Sequence, residues 1–175
     1  WPYNRHRRMV WNVISKPKSL CSLVLTGKYG RQKNLMREFK VMKTDSEMWK
    51  CMARLWPQMV QNISWEIGNG NKVMFWLDKW VEGGRTLGQM CIGNLSDEDR
   101  ELKVKDLVRA NGEWDMPRIA GKLNEEGQKL LLAELPPSTR NGEDKVRWGT
   151  SVQNNYMVSD MYQVLKAEVD GGQKE

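Results

Sequence analysis

Between Ile63 and Trp80 the chain reads Ile-Ser-Trp-Glu-Ile-Gly-Asn-Gly-Asn-Lys-Val-Met-Phe-Trp-Leu-Asp-Lys-Trp, three indoles around a Gly-Asn-Gly-Asn turn. On either side of that turn the side chains alternate, with Trp65 and Ile67 on one face and Val73 and Phe75 able to pair with them. Asn69-Gly70 is a residue pair that tolerates two successive positive φ angles, as a type I′ turn requires. The pattern predicts a β-hairpin over 64–76, turning at Asn69-Gly70. Just beyond it Trp76 and Trp80 flank Asp78, an acid that can accept an indole N–H or sit in solvent.

Trp is the main large packing residue of this chain: 175 residues hold nine Trp against two Phe and four Tyr, and only 39% are hydrophobic. Such a length suits one domain with a thin core. Arg8 to Ile14 reads as a basic, apolar helix, and Leu20, Leu23, Val24 and Tyr29 continue at near-helical spacing until Gly27 and Gly30 supply a stop. Thr44 and Glu47 have capping-box spacing ahead of Met48, Met52, Leu55 and Met59, a stripe that reads as core, and Pro57 within it predicts a kink or an early end. Further on, short helices are expected at 104–110, at 116–123 capped by Asp115, at 125–135 capped by Asn124, and after Ser159. The cluster Ser96 to Glu101 reads as a solvated loop or helix start. Val146 to Thr150 with Tyr156 to Val158 suggest a second hairpin, over about 146–158. The class expected is α+β, mostly short helices with two small hairpins. Its segments are a basic helical stretch (1–43), a Met/Trp-rich helix with the glycine turn (44–82), an acidic helical stretch (94–135) and a closing hairpin and helix (144–167).

Charge is unevenly spread. Residues 1–40 carry ten Lys/Arg against the single acid Glu38, a balance of +9, so a formal total of +6 leaves −3 for the remainder. A basic segment on a mildly acidic body is the pattern of a phosphate-backbone contact, with Arg5, Arg7, Arg8, Lys28, Arg31, Lys33, Arg37 and Lys72 as the candidate contacts. A solvated helical surface explains the same charges.

Several chemistries lack their parts. Cys21, Cys51 and Cys91 are odd in number and widely spaced, and His6 is the only histidine, so neither a disulfide framework nor a metal site is expected. No Asp-Asp pair exists to hold two metal ions, and Asp97-Glu-Asp99 has no strand around it. Gly68-Asn-Gly70 lacks the third glycine and following helix of a dinucleotide loop, and Gly83 to Gly88 lacks the Gly-Lys-Ser/Thr of a P-loop. A nucleophilic triad has no base here. No cofactor and no catalysis complete within these residues is expected. With no signal peptide and no apolar run of bilayer length, no membrane partner is expected, an intracellular setting fits, and the Asn62 and Asn94 sequons carry no weight. A start at Trp1 without Met suits a piece of something longer.

The stretch Trp65 to Trp80 resembles the W-x-I-G-N-G-x-x-I-x-F-W-x-D-x-W signature of plant non-LTR, LINE-type retrotransposon reverse transcriptases, found just upstream of their zinc-binding segment. The residues carrying it are Trp65, Gly68, Asn69, Gly70, Phe75, Trp76, Asp78 and Trp80. Flanking stretches agree in order: Met9-Val-Trp11, then Ser19 to Leu25 and Lys28-Tyr-Gly30, are similar to that family's W-R-L and S-L-W-x-x-V-L-x-x-K-Y helices. Val104-Lys-Asp-Leu107 with Gly112-Glu-Trp-Asp115, and Asp144-Lys-Val-Arg-Trp148 with Tyr156 to Tyr162, resemble its V-x-D-L, G-x-W-D, D-x-x-x-W and F-S-V-K-S-A-Y. Cys21 stands in place of a Trp, Asn155 in place of a Gly, and Ser159-Asp160 in place of Lys-Ser.

The resemblance implies a connector beyond the polymerase palm and thumb, often with RNase H further on, whose partners would be RNA or DNA template and the other reverse-transcriptase domains. It also implies a nuclear setting. Two expectations stand side by side: a non-catalytic segment that assists template or target binding, and a relic or structural fragment, or protein-interaction module, with no retained activity. Exposure of Trp65, Trp76 and Trp80 separates them, since buried indoles serve a core and solvent-facing ones beside cations can stack on bases.

Overall fold

The computed structural model describes residues 2–30, 36 and 39–149. Among these the chain is α+β, predominantly helical with one two-stranded antiparallel sheet, and it divides into two compact units, residues 2–62 and 63–149.

In the first unit, α1 (Pro2–Ser15) packs against α2 (Leu20–Tyr29) and α3 (Glu47–Gln61). Ser19 caps α2 by accepting the Ser22 N–H, and the buried Ser22 hydroxyl donates to the Asn12 carbonyl at 3.2 Å, tying α2 to α1. Gly30 ends α2, as its position suggests. The expected core stripe on α3 is present, with Met52, Leu55 and Met59 buried, and Trp49 and Trp56 lie in the same core. Trp49 stacks on Tyr29 at 4.9 Å and donates its indole N–H to the Lys40 carbonyl. Two details depart from expectation. The N-cap is Ser46 rather than Thr44, because Ser46 accepts the Trp49 N–H. Helix α3 also runs through Pro57 to Gln61, with Pro57 on its exposed side, so the proline costs one intrahelical N–H donor without ending the helix.

The second unit holds β1 (Ile63–Glu66), α4 (Asp97–Glu101), α5 (Met116–Ile119), α6 (Glu125–Ala133) and β2 (Lys145–Trp148), joined by single 3-10 turns. The 104–110 helix is only one such turn, Val104–Leu107, because the backbone then bridges Val108 to Trp114. Asn124 caps α6 as expected, accepting the Gly127 N–H at 2.8 Å. The core gathers Val73, Phe75, Trp76, Trp80, Leu87, Met90, Val104, Leu107, Trp114, Ile119, Leu123 and Leu131.

The hairpin over 64–76 does not form. Strand β1 pairs with β2 instead, Ile63 opposite Trp148 and Trp65 opposite Val146, and Arg147 bonds Glu66 diagonally at 2.7 Å. Among the described residues no residue other than glycine has a positive φ, so Asn69 cannot occupy the first central position of a type I′ turn. The hairpin over 146–158 is corrected in its first arm, whose partner is β1; Tyr156 to Val158 and the helix after Ser159 lie outside the described residues.

Asp99, expected in a solvated cluster, is buried at the start of α4. Its carboxylate accepts from Ser96 and from Lys122 Nζ, which holds it below the usual carboxylate range, the Lys122 bond being the largest cause. A depressed folded value means that this stabilisation is complete above the unfolded value of about 3.9 and is lost as pH falls through the folded one. Lys122→Met is therefore expected to move the acid limb of the stability profile to higher pH while leaving the alkaline limb in place, checked by urea midpoints at stepped pH. An unmoved acid limb would remove Lys122 as its cause.

Candidate functional site

Gly68 to Lys72 is bent around one carboxylate. Asp144, buried just before β2, accepts the Gly68 and Gly70 N–H groups on Oδ1, both at 2.8 Å, and the Lys72 N–H on Oδ2 at 2.8 Å. Alternate backbone donors thus converge as a nest, the arrangement that elsewhere cradles anions. Asn69 Oδ1 accepts the Asn71 N–H, closing an Asx turn within it. The turn's carbonyls are also used: Gly68 accepts from Ser138 N–H and Gly70 from Lys105 N–H. Here the anion is the chain's own side chain.

Glycine is required at both converging positions. A Cβ on Gly68 would lie 2.5 Å from the Gly142 carbonyl oxygen, and one on Gly70 would lie 2.8 Å from the Lys105 nitrogen with φ at +67°.

The tryptophans downstream are core. Trp76 is 1% exposed and Trp80 5%, and Phe75 lies between them with ring centroids 4.8 and 5.5 Å away. Trp80 donates its indole N–H to the Phe75 carbonyl at 2.9 Å, while Asp78 accepts the Met74 N–H at 2.7 Å. Phe75 N–H reaches the Leu102 carbonyl and Val104 N–H the Val73 carbonyl, so the Val104-Lys-Asp-Leu107 stretch locks the signature from one side. Trp114 closes the other side, 5.8 Å from Trp80. Trp65 is half-buried on β1.

The candidate phosphate contacts are placed unequally. Arg5 and Arg8 are exposed one helical turn apart on α1, and Lys28 is exposed at the end of α2, its Nζ 5.1 Å from the Tyr29 ring centre. Arg7 is half-buried with Nε enclosed. Lys72 belongs to the other unit and pairs with Glu143 at 2.7 Å. Arg31, Lys33 and Arg37 lie outside the described residues.

Sequence reasoning passed over Asp144. Its signal was the Asp-Lys-Val-Arg-Trp stretch, quoted only for likeness, whose acid precedes a strand and sits far along the chain from the glycines it organises.

No family model matches the chain, and neither does any solved structure. A curated protein of Arabidopsis thaliana named "Putative ribonuclease H protein" is 24% identical over 160 residues, covering 90% of this chain and 26% of the relative. The chain thus spans about a quarter of that relative's length. Among the described residues no helix is long and apolar enough to cross a membrane, and no group of three His, Cys, Asp or Glu is placed to hold a metal ion.

Proposed function

We propose that this chain is a non-catalytic segment of a LINE-type reverse-transcriptase protein, working beside the polymerase and RNase H parts of a longer chain, in the nucleus, by sequence-independent contact with RNA or DNA. The observation that carries this reading is the ordered run of family motifs from Met9 to Leu165, supported by the likeness to the Arabidopsis ribonuclease H protein along most of the chain. Binding rests on the basic first forty residues, of which Arg5, Arg8 and Lys28 present free surface. The signature itself is a scaffold in this reading: its glycines, Phe75, Trp76, Asp78 and Trp80 hold a core.

A second reading, a structural or relic fragment that binds nothing, is favoured by the burial of Trp76 and Trp80 and by the occupation of the nest by Asp144.

Salt dependence separates the two. Phosphate contacts position without specifying, so affinity should fall steeply with salt and vary little with sequence. Each lost contact lowers the log–log slope by about 0.7 to 0.9, so Arg5→Ala, Arg8→Ala and Lys28→Ala together should flatten it by roughly two units in filter binding. Charge reversal at Asp97, Glu98 and Glu101 should change that slope much less. Equal slopes for the wild type and the triple variant would leave the structural reading in possession.

A further inference from the structure

A cavity of about 410 Å³ opens in the second unit beside β1, in the size range of small-ligand sites. Two indoles, Trp65 and Trp80, line it together with Glu66, Glu82, Glu134 and Arg147. Three of those four charged groups are acids. Arg147 is committed to Glu66 at 2.7 Å, and the nearby Arg85 to Glu126 at 2.8 Å. Glu82 and Glu134 therefore face the cavity with no ion-pair partner among the described residues. Burial raises the Glu134 carboxyl above its usual range; the Glu82 N–H opposes this rise and the Glu82 charge adds to it. Glu82 is exposed and Glu134 half-buried, so a cation bound between these like charges and the aromatic surface gains from both, and most from Glu134, whose charged form burial disfavours.

We propose that this cavity receives the guanidinium of an arginine side chain presented by a partner polypeptide. A flat, weakly hydrated guanidinium can lie against an indole and fork to two carboxylates, whereas a strongly hydrated ammonium gives up more on entering. A divalent cation is a poor match, since it asks for six or more oxygens and gains nothing from indole walls. The source is a polypeptide rather than free arginine because the free amino acid brings its own carboxylate toward Glu66, Glu82 and Glu134.

The indole N–H signals in two-dimensional NMR report binding directly on the whole chain. Titration with N-acetyl-arginine amide should shift the Trp65 signal saturably, the neutral isostere N-acetyl-citrulline amide should not, and free arginine should bind more weakly than the amide. Glu82→Gln with Glu134→Gln should weaken the amide about tenfold, as expected for the loss of charge-assisted bonds, and should leave the other indole signals in place because glutamine at 134 keeps an oxygen for the Glu82 N–H while the repulsion between the two charges is removed. Citrulline amide matching arginine amide, or free arginine binding more tightly, would overturn the proposal on wild-type protein alone. An unchanged affinity in the double variant would overturn it as well.

Discussion

Asp144→Ala is expected to lower the stability of the second unit by about 4 kcal/mol, since three N–H bonds to a charged acceptor contribute roughly 1.5 to 3 kcal/mol each and do not add fully. The donors left behind, on Gly68, Gly70 and Lys72, have no other acceptor within the turn, and Gly68 and Gly70 are buried. Asp144→Asn should fall between. Its carbonyl oxygen can still serve Gly68 and Gly70, but its amide turns a donor toward the Lys72 N–H, so about half of the loss is expected. Hydrogen exchange localises the effect: the Gly68, Gly70 and Lys72 amides should lose protection together in the alanine variant, and Lys72 first in the asparagine one. Unfolding of one unit need not report the other, so these amides are a better measure than a global midpoint. Protection unchanged in the alanine variant would mean that the nest holds without its anion.

The same carboxylate explains what the sequence could and could not reveal. Local rules worked where the partner was near: Asn124 as a cap, Gly30 as a stop, and Met52, Leu55 and Met59 as a buried stripe all follow from spacings within four residues. They failed at Gly68-Asn-Gly70, where an internal hairpin and an external anion both explain glycines. The choice was made by Asp144, 76 residues from the Gly68 amide. Strand β1 likewise looked for its partner across the turn and found it at 145–148. Asp99 is a third instance, since a charge run reads as solvent-facing until Lys122 is known to meet it. The candidate site was legible as composition, nine tryptophans and a basic start, but composition does not say which indoles face inward. Burial of Trp76 and Trp80 assigns those two to packing, and of the three indoles of the signature Trp65 alone keeps the partial exposure that contact with a ligand needs.

Gly68 gives the sharpest test of nest against hairpin. In a type I′ hairpin turning at Asn69-Gly70, Gly68 is an ordinary strand-end residue, and alanine there should be tolerated or mildly stabilising by restricting the unfolded chain. In the nest, its Cβ meets the Gly142 oxygen at 2.5 Å and the Glu143 carbonyl carbon at 2.8 Å, both backbone atoms that cannot swing aside. Gly68→Ala should therefore lower stability by roughly 3 kcal/mol, the upper end for overpacking. Gly70→Ala should lose a similar amount by a different route, its left-handed φ adding about 1 kcal/mol to the contact with Lys105. The two routes part in the Asp144→Ala background. There the 142–144 backbone is no longer drawn onto the turn and can retreat from the methyl group that Gly68→Ala adds, so most of the Gly68 penalty should vanish. More of the Gly70 penalty should persist, because the atoms its Cβ would meet, on Lys105 and Pro137, are not held by Asp144 even though its own N–H is. A double-mutant cycle by hydrogen exchange thus predicts strong coupling of Asp144 with Gly68 and weak coupling with Gly70. Additive losses at Gly68 would separate the glycine from the carboxylate and return the turn to a purely local device.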